Sequence, residues 1–315
     1  MNAAATRPGA RRLSWWTRVK KNYRRYPLVY WLCLPILVYY IIFHYLPMFG
    51  ICIAFQDYRP AKGVFGSKWV GLKHFISFFT SDYCWRLIRN TLFINFYNLL
   101  FGFPAPILLA LLINEVHCTP FKKTIQTISY MPHFVSMVVI CGLLVDFCAS
   151  TGILTTITTF FGFERTNLLN QPKLFRTIYV ASGIWQQIGW GSIIYLATLS
   201  TTDPNLYEAA VIDGAGRFQQ VIHVTLPTLV PLIVLQLIMR MGQMMSVGYE
   251  KIILLYNGLT YETGDVISSY VYRRGLQSGD FSFGTAVSLF NSFCNILLLV
   301  CANTLSGKLT GESMW

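Results

Sequence analysis

Six stretches of this chain contain no Asp, Glu, Lys or Arg: 26–56, 90–114, 124–145, 177–202, 218–239 and 281–307. Each runs to about 20 residues or more, the length a helix needs to cross roughly 30 Å of hydrocarbon. The pattern predicts an all-α polytopic membrane protein with six transmembrane helices. They are placed at about 28–50, 90–113, 125–147, 177–200, 228–249 and from 281 to near 305. A further apolar stretch, FCASTGILTTITTFFGF at 147–163, is too short and too rich in Thr and Gly for a seventh span. It reads as an outer-face hairpin or surface helix. Pro35 and Pro47 are expected to kink the first helix, and the FPAP segment from Phe103 to Pro106 to bend the second. Neighbouring helices satisfy the carbonyls that such prolines free.

Composition supports the membrane reading. Only 12% of residues are charged and mean hydropathy is +0.48, against about 25% charged in soluble domains. The net charge of +12 is uneven: eight Lys/Arg precede residue 28 and the first acidic residue is Asp57. By the positive-inside rule the basic tail, 1–27, stays cytoplasmic. The apolar run behind it is too long for a signal peptide and no small-residue cleavage site follows, so it is retained as helix one. An even helix count then returns the tail 307–315 to the cytoplasm, leaving 28–306 as the transmembrane domain. The loops placed outside also carry Arg59, Lys62, Lys68, Lys73, Arg86, Arg89, Lys173, Arg273 and Arg274, so orientation rests on the tail. A basic cluster abutting a span suits anionic lipid rather than nucleic acid.

Catalytic signals are lacking. The eight cysteines form no Cys-x-x-Cys pair and most lie in apolar runs, so they read as small packing residues; the five histidines are scattered. No metal set is expected. No Gly-x-x-x-x-Gly-Lys-Ser/Thr phosphate loop occurs, and GVFGSKW at 63–69 lacks its spacing. With no Ser-His-Asp cluster either, the chain is not expected to be an enzyme.

The loop between the fourth and fifth predicted helices, 203–227, is unusual. Asp203 suits an N-cap and Pro204 the first helical turn. LYEAAVID follows, with strong helix formers at its centre. Gly214 stands where a C-terminal cap belongs, and Gly216 permits a sharp turn. RFQQVIHV then predicts a second short helix, ended by Pro227. Two short helices at an angle make a rigid cytoplasmic knob, kept slim by Ala209, Ala210 and Ala215 and charged by Glu208 and Asp213. Such a knob suits docking to a cytosolic protein.

The spacing of Glu208-Ala209-Ala210, Asp213-Gly214-Ala215, Ile222 and Leu226-Pro227 resembles the EAA loop of binding-protein-dependent ABC importer permeases. YLPMFGICIAFQDYRP, SKWVGLKHF, RNTLF, FGFPAPILLALLINEV, TISYMPHF, GYEKIILLYN, YETGDVISSYVYRRGL and SGKLTGESMW extend the resemblance almost end to end. They are similar to the branch typified by polygalacturonan-, rhamnogalacturonan- and alginate-type permeases. The resemblance implies a type I ABC importer permease fold in the bacterial cytoplasmic membrane, importing oligosaccharides. It implies that Glu208, Ala209, Ala210, Asp213, Gly214, Gly216, Leu226 and Pro227 form the coupling element for an ATPase. It also implies two ATPase subunits, a second permease in a heterodimer, and an extracytoplasmic sugar-binding lipoprotein or periplasmic protein. ATP would be bound by the partner ATPase, with no cofactor in this chain.

Sugar sites use aromatic faces together with amides and charged groups. Trp185, Gln186, Gln187 and Trp190 cluster in the fourth helix, and Gln236, Arg240 and Gln243 share one face of the fifth. An ionised Arg240 near mid-membrane belongs in the bundle interior or a wet cavity. These residues are candidates for the substrate path, with Arg240 meeting an acidic sugar or an internal carboxylate; a structural hydrogen-bond network fits the same pattern. Glu250 and Lys251 read as interfacial charges. The rival class is an ion-coupled secondary transporter or channel working without an ATPase. No carboxylate lies mid-span, and Asp146 sits near the outer end of its helix, which argues against ion coupling.

Overall fold

The computed structural model describes residues 15–309, 311, 313 and 314. The first fourteen residues of the basic tail, and Thr310, Glu312 and Trp315 of the C-terminal tail, lie outside them. Two compact units are present, one ending at Cys52 and one beginning at Ile53. In the first, helix Trp15–Arg25 gives way at Tyr26 to an apolar helix starting at Pro27. None of the residues Pro27–Tyr40 is buried, and a helix apolar all round is one surrounded by lipid or protein.

Five helices among the described residues are long and apolar enough to cross a membrane: Pro27–Phe55, Cys84–Asn114, Met137–Phe160, Arg217–Met241 and Phe281–Lys308. Helix Pro172–Leu199 is comparably long at 28 residues, but Gln186, Gln187 and several Ser and Gly residues dilute its apolar character. The fold is therefore helical throughout, with one small antiparallel pair, β1 (Gln56–Asp57) on β2 (Lys68–Trp69).

Several boundaries differ from those read in the sequence. The expected span over 125–147 is broken, because Pro132 stops helix Thr119–Tyr130 and Ser136 caps a new one, Met137–Cys148, by accepting from the Val139 N–H. A turn at 149–152, with Ala149 and Gly152 extended, then separates this helix from a short one, Ile153–Phe160, within the stretch read as a hairpin or surface helix. Helix 84–114 begins six residues before the charge-free stretch and takes in Arg86 and Arg89. Helix 217–241 does not stop at Pro227. RFQQVIHV is its first part rather than a separate short helix.

Three prolines explain a recurring local feature. A wide helical turn precedes Pro47, Pro104 and Pro227, at Ile41–Tyr45, Asn98–Gly102 and Val221–Thr225. In each, the residue just before the proline donates its N–H five positions back: Leu46 to Ile41, Phe103 to Asn98 and Leu226 to Val221. Proline offers no N–H to the carbonyl four residues earlier, and that carbonyl (Phe43, Leu100 or His223) falls at the middle of the widened turn. The helix accommodates the lost bond by widening rather than by breaking.

Helix 172–199 is the centre of the second unit and packs along helix 84–114. Close crossings rest on small residues. A Cβ at Gly189 would land on the Ser129 carbonyl of helix 119–130, and one at Gly191 would press on Pro106 at 3.0 Å. Helix 217–241 does not reach residue 249 as expected but ends at Met241, and 242–248 has no regular helix. Side chains hold this open backbone. Asn95 donates its amide to the Met244 and Ser246 carbonyls at 3.0 and 3.3 Å, and the Met245 N–H donates to Asn295 Oδ1 at 2.9 Å.

At the end where helices 84–114 and 172–199 begin, a polar network ties both to the segment 260–277. Asp265 is fully buried and accepts from both guanidinium arms of Arg273, at 2.9 and 2.8 Å, with Arg86 at 3.4 Å and the Ser269 hydroxyl at 2.8 Å. Asn90 donates to the Asp265 and Glu262 carbonyls and accepts from Arg176 at 2.7 Å. Arg89 pairs with Glu262, Arg274 with Asp280 and Lys73 with Asp57. Hydrogen bonds from Lys73 and Arg89 hold the Asp57 and Glu262 carboxyls below their ordinary range, so these pairs stabilise the fold above the unfolded-state values and fade as acid titrates them. Five of the nine cations in the loops read as outer thus pair with four carboxylates, Asp265 serving two of them. Their positive charge is a local matching of acid to base and bears little on topology.

Removing the buried Asp265 carboxylate leaves the half-buried Arg273 and Arg86 without their shared anion. Asp265→Ala should cost about 3–5 kcal/mol, the usual penalty for breaking a buried pair from one side, whereas Glu164→Gln, at an exposed carboxylate, should change stability by less than about 0.5 kcal/mol. Thermal unfolding of the two variants in the same detergent checks both.

Candidate functional site

A cavity of about 590 Å³ opens between helices 84–114, 172–199 and 217–241. The first contributes Asn98, Phe103 and Pro106, beside the widened turn that precedes Pro104. The second contributes Tyr179, Gly183, Gln186, Gln187, Trp190 and Gly191. The third contributes Gln236, Met239 and Arg240, with Gln243 just past its end. Spacings of four and three residues put Gln236, Arg240 and Gln243 on one face, and that face lines the cavity.

Six of the seven residues read from the sequence as a substrate path therefore stand around one space: Gln186, Gln187, Trp190, Gln236, Arg240 and Gln243. The exception is Trp185, which is half exposed and does not line it. It lies roughly 140° around the helix from Trp190. Trp190 is held by His133, whose ring stacks on the indole with centroids 4.3 Å apart and planes 2° from parallel. His133 Nδ1 lies 2.9 Å from Gln187 Oε1, which fixes the amide beside the indole. No ion pair or hydrogen bond joins the Arg240 side chain to another described residue, and no Asp or Glu lines the cavity.

Lys251 is the residue that sequence reasoning misplaced. It was expected as an interfacial charge beside Glu250. Glu250 is exposed, but Lys251 is only 5% exposed and lines the cavity. Helix Tyr249–Leu255 folds back so that the Lys251 ammonium donates to the Tyr179 carbonyl at 2.9 Å and sits 4.7 Å from the Tyr179 ring centroid. Nothing local distinguishes Lys251 from its neighbour. Only the fold of the preceding open segment brings it inside. His133 and Asn98 were likewise unflagged, since each is a lone polar residue in an apolar run.

The second feature is the loop 203–216. Asp203 caps helix Pro204–Ile212 by accepting from the Asn205 N–H at 3.0 Å. Gly214 ends it with φ +77, and the Ala215 N–H reaches back to the Ala210 carbonyl at 2.9 Å, the bond that closes a left-handed helix cap. Gly216 has φ −67, which any residue adopts, so it supplies no special turn as had been read. Its N–H is instead satisfied by Gln219 Oε1 at 2.9 Å. One short helix therefore abuts the start of helix 217–241, and Tyr207 meets Thr225 through their hydroxyls at 3.0 Å. Glu208, Ala209, Asp213, Gly214 and Pro227 are exposed, while Ala210 and Leu226 are half-buried. Around them Leu206, Val211, Ile212 and Phe218 present bare apolar side chains, Ile212 at 86% exposure. Together they form an exposed apolar patch beside the capped helix.

A sequence profile for the binding-protein-dependent transport system inner membrane component matches residues 89–309. The polygalacturonan/rhamnogalacturonan transport system permease protein YteP of Bacillus subtilis (strain 168) is 44% identical over 288 residues, covering 91% of this chain and 90% of its own. Protein LplB of the same organism is 40% identical over 304 residues, covering 96% and 94%. Among solved structures, a bacterial ABC transporter involved in the import of the acidic polysaccharide alginate contains a chain 43% identical to this one. It superposes with a TM-score of 0.85 and covers 93% of this chain and 99% of that one. A bacterial alginate ABC transporter in complex with an alginate pentasaccharide-bound periplasmic protein matches with 42% identity and the same TM-score, covering 94% and 100%.

Replacing Gly214 by Ala forces a left-handed conformation on a residue with a Cβ, and should destabilise the loop by about 1 kcal/mol. Gly216→Ala should be close to neutral. Hydrogen exchange at the Ala215 amide distinguishes them: it should accelerate in the first variant and stay unchanged in the second.

Proposed function

The chain belongs to the binding-protein-dependent transport system inner membrane components, and on that premise we propose that it is the permease subunit of an ABC importer for oligosaccharides. The observation that carries this reading is a single helix, 217–241, with the exposed loop at one end and the polar cavity at the other. At 1.5 Å per residue it is about 37 Å long. Tyr207 and Thr225 lock the loop to its first turns, so a displacement of the loop travels as a rigid-body motion to Gln236 and Arg240.

In this reading the loop 203–227 lies in the cytoplasm and seats in a cleft of a separate ATPase subunit. Leu206, Val211, Ile212 and Phe218 fill the cleft and Glu208 and Asp213 supply charge. Closure of two ATPases on ATP moves the cleft, and the cavity opens to the opposite side. There the segment 260–277, with its ion-pair network, faces a substrate-loaded binding protein. A second permease subunit completes the translocation path, and helix 172–199 serves as the sixth span. The odd and even ends of the bundle then place both termini in the cytoplasm, beside anionic lipid. Cavity amides Gln186, Gln187, Gln236 and Gln243 are suited to sugar hydroxyls, and the Trp190 indole to the apolar face of a sugar ring. ATP binds the partner, and this chain needs no cofactor of its own.

The test is recovery of partners from mild detergent with the tagged chain, followed by uptake in proteoliposomes. The wild type should bring down a P-loop ATPase, and Glu208→Lys should reduce that recovery by about tenfold, as expected when one charge of a docked pair is reversed. A wild-type chain that imports sugar alone, with no ATPase, would refute the reading. Gly214→Val, which distorts the cap, should abolish ATP-driven uptake while the chain still reaches the membrane.

A further inference from the structure

We propose that helix Lys73–Phe79 and the hairpin before it, 56–69, form an interfacial membrane anchor. The helix lays Leu72, Ile76 and Phe79 on the lipid of the leaflet in which helix 281–309 begins, and the hairpin sets Arg59, Lys62 and Lys68 against anionic phospholipid headgroups. Only the membrane-spanning fold is needed for this, whatever the chain imports.

The first observation is depth. Helix 281–309 has 29 residues, and at 1.5 Å per residue its length of about 43 Å exceeds roughly 30 Å of hydrocarbon, so its first turns lie among headgroups. The Phe78 ring stands 6.3 Å from Phe283 and 5.9 Å from Phe290, and Phe79 meets Phe290 edge-on at 5.0 Å. Phe283 and Phe290 fall about 3 and 14 Å along that spanning helix. The short helix is therefore level with the boundary between headgroups and acyl chains, where interfacial helices bury an apolar face. The hairpin is set one layer further out. Its Tyr58 N–H donates to the hydroxyl of Ser282, the second residue of the spanning helix, at 2.9 Å.

The second observation is that the short helix is apolar on two sides. One side is packed: Phe78 is 1% exposed, and the buried His74 places Nε2 3.1 Å from the Gln56 carbonyl. The other carries Leu72, Ile76 and Phe79, at spacings of four and three residues, each more than half exposed. Trp69 continues this apolar surface at 62% exposure. Its ring stacks on Phe55, the last residue of the first apolar run, Pro27–Phe55, with centroids 6.5 Å apart. The surface is thus continuous with chain that is itself of membrane-spanning character, and tryptophan beside lysine is the composition of a membrane interface.

The third observation is charge. Of the nine cations in the loops read as outer, five meet carboxylates. Of the remaining four, Arg59, Lys62 and Lys68 stand together in this hairpin, exposed and without a carboxylate partner among the described residues. The one acid within 56–79 is Asp57, and Lys73 already holds it at 2.9 Å. Lipid phosphates supply the counter-charge that the protein does not. Lysine and arginine stems reach along apolar surface and keep their heads at the polar boundary, so apolar and cationic side chains are sorted here by depth.

The test places a diazirine-bearing residue at Ile76 or at Phe79 of the full chain and irradiates membranes of the producing cells. The carbene inserts into whatever touches it, water included, and the mass added to the chain identifies the neighbour. Phospholipid adducts should dominate at both positions. Among the adducts at Ile76, anionic phospholipid should be enriched about threefold over its share of the same membranes, as expected for a cluster of surface cations. Replacing the three cations together, Arg59→Gln, Lys62→Gln and Lys68→Gln, should return that share to the bulk value. Because these side chains are exposed, the triple variant should keep the wild-type unfolding temperature, and a phospholipid adduct at Phe79 in both forms reports that the helix stays in place. Adducts to protein would assign the face to a neighbouring subunit, and adducts to water would leave it solvated; either overturns the proposal. An anionic share that is the same with and without the three cations overturns it as well.

Discussion

Hydrocarbon offers backbone groups no hydrogen-bond partners, and the described helices answer this demand at several irregular points. Prolines 47, 104 and 227 each remove a donor, and each is preceded by a turn widened to carry the bond one residue further. Where helix 217–241 ends, Asn95 and Asn295 supply donors and an acceptor from neighbouring helices. Those two amides make an open segment possible, and the open segment redirects the chain so that Lys251 turns inward. The cavity is therefore a consequence of how backbone is satisfied in a medium without water.

The same medium sorts the charges. Where cations serve architecture they are matched, as at Asp265, which gathers Arg273, Arg86 and the Ser269 hydroxyl without exposing any of its side chain. Arg240 and Lys251, by contrast, line an interior space with no carboxylate among its lining residues. The buried network and the cavity also share a support. Helix 172–199 carries Arg176 into the first and Tyr179, Gln186 and Trp190 into the second.

In the proposed mechanism, coupling rests on continuity rather than on a chain of separate contacts. Helix 217–241 crosses from the loop to the cavity without a break, because the turn at 221–225 absorbs Pro227 instead of ending the helix there. Had RFQQVIHV been an independent helix, loop motion would have been lost at a hinge. The left-handed cap at Gly214 and the Tyr207–Thr225 contact keep the loop stiff against its end.

The sequence by itself determined the helical membrane class, most of the apolar segments and the loop motif. These follow from local composition, from the absence of charge over about 20 residues and from glycine and proline at fixed offsets. Six of the seven residues read from the sequence as a substrate path do line the cavity, since a spacing of three or four residues already places them on one face. Tertiary structure alone decided the early start of helix 84–114 and the end of helix 217–241. In each case a partner from another helix, such as Asn95 or Asp265, changed what a local stretch could tolerate. It alone decided that Glu250 stays outside while Lys251 goes in, because the two are equivalent in sequence and differ only in what helix 172–199 puts beside them.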